Sequence, residues 1–155
     1  MSNASNYLEN ELLDHVLGEG GRNYTPATLH IALFADTGSG VATALESGTS
    51  STSGTANWGY YEIQTSGSTN YTRKAVNFNA ASNGSANNNG AVVFDQAGAN
   101  YDTAGGAGNT VTHVAIMDAA SGGNVLFYGA LSVNKVVTTG DTFQINDQAL
   151  TVSLA

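Results

Sequence analysis

Few residues in this chain have the types and the spacing that catalysis requires. The most suggestive is Asp36-Thr37-Gly38, which follows the apolar residues Leu33 and Phe34 in the pattern by which aspartic proteases place a catalytic carboxylate. Such a site needs a second aspartate to share one proton. The chain contains one such triplet, so only a homodimer could complete the pair, and Asp-Thr-Gly is also ordinary turn chemistry. We expect a solvent-facing turn at Asp36.

The other chemically capable residues are scattered over separate segments. His15, His30 and His113 lie on a predicted helix and on two predicted strands, where a hydrogen-bonded structural histidine is a commoner outcome than a metal ligand. No serine stands in a Gly-x-Ser-x-Gly elbow, and the aspartates form no EF-hand loop. We therefore expect no catalytic residue, no metal site and no cofactor, and we predict that the protein is not an enzyme.

The element that must position everything else is a hairpin. Thr110–Met117 and Val125–Leu131 are rich in β-branched and aromatic residues, and the segment from 118 to 124 between them contains the Gly and Asn of a reversing loop. Both faces are apolar near this loop, so the hairpin should lie centrally and be covered on both sides. Simple alternation assigns the residues of each strand to two opposite faces of the sheet. In the first strand, Val111, Ala115 and Met117 share one face, and Val114 and Ile116 share the other. In the second strand, one face carries Val125, Phe127 and Leu131, and the other carries Leu126, Tyr128 and Ala130.

Further short strands are predicted around this hairpin, with a long polar loop before the second of them. The strands are Thr28–Phe34, Tyr60–Gln64, Tyr71–Phe78, Ala91–Asp95, Val133–Thr138, Asp141–Ile145 and Ala149–Leu154, and the loop is Ala35–Trp58. Many short strands separated by turns predict an all-β protein, specifically an antiparallel, jelly-roll-like β-sandwich.

One short helix is predicted, at the N-terminus. Asn6 is the expected N-cap, with Glu9 three residues later in a capping-box pattern, and Gly18 ends the helix. The apolar residues at helical spacing are Leu8, Leu12, Leu13, Val16 and Leu17. This helix either docks on the β-core or packs on a neighbouring subunit. We therefore divide the chain into an N-terminal helical arm, residues 1–20, and a β-sandwich domain, residues 21–155.

Composition excludes several kinds of partner. The chain has 4 Lys and Arg against 12 Asp and Glu, and its net charge of −8 repels phosphate backbones, so nucleic-acid binding is not expected. No apolar run is long enough to span a bilayer, and the N-terminus lacks a signal-peptide pattern, so we expect no membrane partner and no export by that route. Cysteine is absent, which leaves no disulfide framework.

Six segments form a distinctive pattern: NYLENELLDHVLG, TLHIALF, YTRKAVNF, VTHVAIMDAASGGNVLFYGAL, GDTFQI and ALTVSLA. Together they resemble a family of small virion structural proteins of tailed bacteriophages, whose members are named as tail-fibre proteins or as capsid cement and decoration proteins. The resemblance covers almost the whole chain, except mainly Val41–Trp58 and Ala97–Asn109. It implies a virion component that is made in the host cytoplasm.

The resemblance leaves two functions to weigh. The first, which we favour, is a capsid cement or decoration protein: a homo-oligomer, expected to be a trimer, that binds the major capsid protein lattice on the outer surface of the phage head and stabilises it. The second is a tail-fibre or spike module that binds a host-surface receptor, for which Trp58, Tyr60, Tyr61 and Tyr101 could form an aromatic platform. The residues expected to contact a partner are Leu8, Leu12, Leu13, Val16, Trp58, Tyr60 and Tyr61.

Overall fold

The structure is a computed structural model and describes residues 3–17, 28–36, 38, 40–47 and 57–154. The helices are α1 (Asn6–Leu17) and α2 (Val41–Ser47), and a 3₁₀ turn spans Trp58–Tyr60. The strands are β1 (Asn3–Ala4), β2 (His30–Ala35), β3 (Lys74–Ala75), β4 (Ser85–Asn87), β5 (Val92–Val93), β6 (Thr110–Met117), β7 (Val125–Val136), β8 (Gln144–Ile145) and β9 (Thr151–Ser153).

The main sheet is antiparallel and has the strand order β1-β7-β6-β2-β3. Two further antiparallel ladders, β4–β9 and β5–β8, contribute apolar residues that pack with those of this sheet. The predicted all-β class with an N-terminal helix is confirmed, and the arrangement is sandwich-like. A jelly-roll strand order stays a prediction.

The β6–β7 hairpin is covered on both faces near its loop, as predicted, whereas the second half of β7 is exposed and lies at the edge of the sheet. On one face Ile31, Leu33 and Ile116 pack with residues of the second layer such as Phe94 and Phe143. On the other face, residues of β2, β6 and β7 pack against α2 and the 3₁₀ turn. All residues of β2 after His30 are fully buried. The apolar run of β2 therefore reflects burial on both faces of the sheet.

Two irregularities in the hairpin make the predicted alternation wrong at particular residues. The β6–β7 register shifts between Val111 and His113, and Val111 consequently lies in the same core cluster as Val114. The register shifts again near the loop, and there Leu126 and Phe127 pack on one face while Val125 and Tyr128 pack on the other. A bulge inserts an extra residue on one strand, which reverses the facing of every side chain beyond it.

The predicted polar loop Ala35–Trp58 contains a helix that was not predicted. Helix α2 buries Val41, Ala44 and Leu45, which follow the helical i, i+3, i+4 spacing. The many Ser, Thr and Gly residues around this short segment hid that pattern. The strand predicted at Tyr60–Gln64 is also wrong in extent, because the 3₁₀ turn occupies its start and only isolated bridges follow at Glu62 and Ile63.

Helix α1 begins one residue earlier than predicted, with Ser5 as its N-cap. The Ser5 hydroxyl oxygen accepts a hydrogen bond from the Leu8 amide at 3.3 Å, and the same hydroxyl donates to the carbonyl of Val125. Ser5 is fully buried, and β1 pairs with Phe127 and Tyr128 of β7. The start of the predicted arm is thus fastened to the β-domain by backbone and side-chain hydrogen bonds. Gly18, the predicted end of the helix, lies outside the described residues.

Candidate functional site

Helix α1 divides its leucines between the protein's own core and its surface. Leu8 is buried in the core, and Leu12 is half-buried against it. Leu13 and Leu17 are 56% and 70% exposed. The side chain of Val16 lies outside the described part of the structure. Of the predicted helix contacts, Leu13 is therefore placed where a partner could reach it, while Leu8 is already used in folding.

The aromatic residues proposed as a sugar platform are directed into the protein instead. Trp58, Tyr61 and Tyr101 are each at most 5% exposed, and Tyr60 is half-buried. The Trp58 ring lies edge-on to the Phe34 ring, with 6.5 Å between the centroids. The expectation of a surface platform is therefore wrong for Trp58, Tyr61 and Tyr101. Trp58 and Tyr61 fill the α2 face of the sheet, and Tyr101 packs in the core cluster on the other face.

Trp58 also takes part in a buried charge network that the sequence analysis did not foresee. The Arg73 guanidinium forms two hydrogen bonds with the Glu62 carboxylate, Nε to Oε1 at 2.7 Å and Nη2 to Oε2 at 2.8 Å. Its Nη1 donates to the carbonyls of Ala119 and Gly122 at 2.9 and 2.7 Å, in the loop of the central hairpin. The guanidinium carbon lies 5.0 Å from the centre of the Trp58 ring.

The electrostatics of this network favour its charged form. Burial alone lowers the pKa of Arg73, but the hydrogen bonds and the negative charge of Glu62 outweigh this and the net shift is upward. Tyr71 donates from its hydroxyl to Glu62 at 3.1 Å, and burial, followed by this carboxylate, raises the pKa of Tyr71 well above its ordinary value. The sequence pattern could have predicted that Tyr71 and Arg73 lie on the same, inner face, because they alternate with the exposed Thr72 on a strand-like segment.

The network borders a cleft of about 540 Å³, whose lining includes Trp58, Glu62 and Arg73. Each nitrogen of the guanidinium already donates to a protein oxygen. The charges at the base of the cleft are consequently paired with each other, and the arrangement joins the 3₁₀ turn to the hairpin loop. The network therefore acts as an internal cross-link between these two segments.

The residues first considered for catalysis have local structural partners. The two carboxylate oxygens of Asp36 accept hydrogen bonds from the Gly38 amide at 2.8 Å and from the Val41 amide at 3.1 Å, which caps α2. His30 Nδ1 lies 2.8 Å from the carbonyl of Thr28. Within the described ranges, no group of three His, Asp or Glu side chains is placed to hold a metal ion.

Strand β7 presents an open edge along most of its length. On one side it pairs with β6, whereas on the other side β1 covers only Phe127 and Tyr128. From Gly129 to Val136, the outer backbone edge has no strand partner among the described residues. The sequence pattern predicts two strands separated at Ser132, whereas the structure has a single strand that continues to Val136.

A family model described as podophage GP4 fiber I protein gp80 matches residues 3–153. The chain belongs to this family. The resemblance to tailed-phage structural proteins is therefore confirmed, and the protein is a structural component of a bacteriophage virion. A search of curated proteins found no match.

This fibre-family protein exposes aliphatic side chains in places where a virion neighbour could contact them. Leu13 and Leu17 lie on α1, and Val133 and Val136 lie on the open half of β7 at 64% and 60% exposure. None of the helices in the described part of the chain is long and apolar enough to cross a membrane. These exposed aliphatic side chains lie on a protein of net charge −8.

Proposed function

We propose that this protein is a non-enzymatic, oligomeric building block of a phage fibre, which attaches to its virion neighbours through exposed aliphatic residues. The observation that carries the proposal is the family match over residues 3–153, whose description names a fibre protein. A fibre module of this size has to hold neighbours by surface contacts. A contiguous patch of exposed apolar side chains is typical of such contacts, and Leu13 and Leu17, which are four residues apart on α1, are neighbours on one helix face.

The chemistry of the polar residues supports a structural function. Asp36 accepts backbone amide hydrogen bonds through both oxygens, and Asp118 likewise accepts from the backbone and side-chain nitrogens of Asn124. Glu62 and Arg73 neutralise each other. These carboxylates stabilise turns, a helix end and a loop, which are the tasks of a scaffold.

An attachment function fits the described surface better than a receptor-binding platform does. The rings of Trp58, Tyr61 and Tyr101 are buried in the two core clusters, so they present no aromatic face for stacking a sugar. The net charge of −8 also favours a position outside the shell, away from packaged DNA.

Capsid cement is the second candidate, for which the exposed Leu13 and Leu17 on α1 would supply the contact. A helix that is fastened to the domain at Ser5 and carries leucines on its outer side could dock on the major capsid protein lattice. A trimer that touches several capsomers would raise its avidity by roughly 10²–10⁴ over a single contact. Cement and fibre proposals share an attachment chemistry and differ in copy number.

Copy number in purified virions tests the proposal. We expect quantitative mass spectrometry, calibrated against the major capsid protein, to give roughly a few dozen copies, as a fibre attached at few sites requires. Several hundred copies would favour the cement candidate. Absence from intact virions would contradict both.

A further inference from the structure

The open half of β7 is unusual for an edge strand because both of its faces are exposed. Every residue from Ser132 to Val136 is exposed. The ladder with β6 pairs His113 with Ala130 and then Val111 with Lys135, so that residues 131 to 134 stand opposite Thr112 alone. This long bulge carries Val133 away from the core, and it leaves the outer edge available from Gly129 onward.

Natural edge strands are commonly shortened or protected by charges, because an unpaired edge is a template for another strand. The open stretch comprises eight residues, Gly129–Val136, but it stands opposite only the five residues from Val114 to Thr110 of β6, so the bulged strand advances roughly 14 Å along the edge of the sheet. Two exposed valines accompany it, Val133 and Val136. The edge therefore has both the unpaired backbone and the apolar side chains that β-strand addition uses.

Charge identifies the kind of partner. The sequence contains no acidic residue between Asp118 and Asp141, whereas the whole chain carries −8. Among the described basic residues, Arg73 pairs with Glu62 and Lys74 pairs with Asp95. Lys135, on the open edge, has no ion-pair partner in the described structure. The edge is thus a locally basic, apolar strip on an acidic protein, and it complements the remaining surface of a second copy.

An uncharged groove lies beside this edge. A cavity of about 350 Å³ is lined by residues 127 to 132 of β7 and by residues 149 to 152, at the start of β9. It shares Ile116, Phe127 and Val152 with an adjoining apolar cavity of about 300 Å³. No Asp, Glu, Lys, Arg or His side chain lines either cavity. A segment added to the edge could therefore place apolar side chains in the groove without burying a charge.

We propose that the open edge of β7, Gly129–Val136, is the surface through which this chain binds a second copy of itself by strand addition. The inference deepens the proposed function, which requires an oligomer, by naming the contact. Backbone hydrogen bonds along the edge supply affinity, Val133 and Val136 supply apolar burial, and Lys135 meets the acidic surface of the partner.

The test is the mass of the full-length protein in solution, measured by size-exclusion chromatography with light scattering over a range of concentrations. We expect the wild type to associate, and Val136→Asp to raise the dissociation constant at least about tenfold. Val93→Asp is the matched control, since Val93 is also an exposed strand valine, at 49%, and lies on β5. It should associate like the wild type. Circular dichroism checks that both variants are folded.

Hydrogen exchange supplies an independent readout that needs no substitution. In the wild type, amides between Gly129 and Val136 should exchange more slowly at high protein concentration than at low concentration, because strand addition pairs them. A wild type that stays monomeric, a Val136→Asp protein that associates normally, or a Val93→Asp protein that dissociates equally would each overturn the inference. These outcomes concern the protein in solution, so they are distinguishable from a failed copy-number test on virions.

Discussion

Replacing Arg73 tests whether the buried network stabilises the fold by linking the 3₁₀ turn to the hairpin loop. Arg73→Met keeps much of the side-chain volume but removes the paired hydrogen bonds to Glu62, the bonds to the carbonyls of Ala119 and Gly122, and the contact with Trp58. The side chains of Arg73 and Glu62 are only 3% and 16% exposed. Removing one partner of such a pair leaves an uncompensated buried charge.

The expected loss is about 3–5 kcal/mol of unfolding free energy, the usual cost of breaking a buried ion pair. For a chain of 155 residues, each kcal/mol corresponds to about 2–4 °C in Tm. Urea unfolding and thermal scanning measure both quantities. Glu62→Gln combined with Arg73→Met should be less destabilised than Arg73→Met alone, because the orphaned carboxylate is then absent.

The neighbouring residue provides a matched control. Lys74 forms an ion pair with Asp95 at 2.6 Å, but the two side chains are 24% and 60% exposed. Lys74→Met should therefore cost less than about 1 kcal/mol. Equal losses for Arg73→Met and Lys74→Met would refute the reasoning that burial makes the first pair structurally important.

Three further predictions follow from individual residues. Leu13→Asp should leave the unfolding free energy within about 0.5 kcal/mol of wild type and reduce incorporation into virions, whereas Leu8→Asp should prevent folding, because only Leu8 is buried. Circular dichroism measures folding, and mass spectrometry of virions measures incorporation. Normal incorporation of Leu13→Asp would exclude a contact at that residue. Asp36→Asn should weaken the cap of α2 by at most about 1 kcal/mol and leave virion assembly and infectivity unchanged. If the wild type cleaves peptides at acidic pH and the variant does not, the non-enzymatic proposal is contradicted. Burial, together with a hydrogen bond to Glu46, raises the pKa of Tyr128 from 10.0 to about 12. The unfolded chain therefore loses this proton first, so the unfolding free energy should fall as pH rises from about 10, and it should fall less steeply in Tyr128→Phe. Urea unfolding at increasing pH measures this, and parallel curves of unfolding free energy against pH for the two proteins would count against the assignment.

The central hairpin and the N-terminal helix were predictable because their signals are local. Residues of β6 and the first half of β7 are β-branched or aromatic, and a Gly- and Asn-containing loop lies between them. The apolar residues near that loop predicted coverage on both faces, which the two core clusters confirm. In α1, helical spacing identified the apolar residues, but it did not separate the buried Leu8 from the exposed Leu13, both of which were expected to contact a partner.

The remainder depends on contacts between distant residues, which local patterns do not encode. Burial of Trp58 follows from its packing with Phe34 and Arg73, and neither partner is near it in sequence. Helix α2 is short, and its stability comes from burying Leu45 and from the cap at Asp36. The bulge opposite Thr112 has no local signal beyond the polar Ser132, so alternation failed at Val111.

The most direct test of the central claim is a cryo-electron-microscopy reconstruction of the intact virion, with density assigned to this chain. We expect copies of the β-domain within a fibre, with the open edge of β7 against a neighbouring copy and the N-terminal helix facing a further virion protein. Density for the chain spread over the head lattice, with every copy seated on the major capsid protein and the β7 edge unpaired, would contradict it.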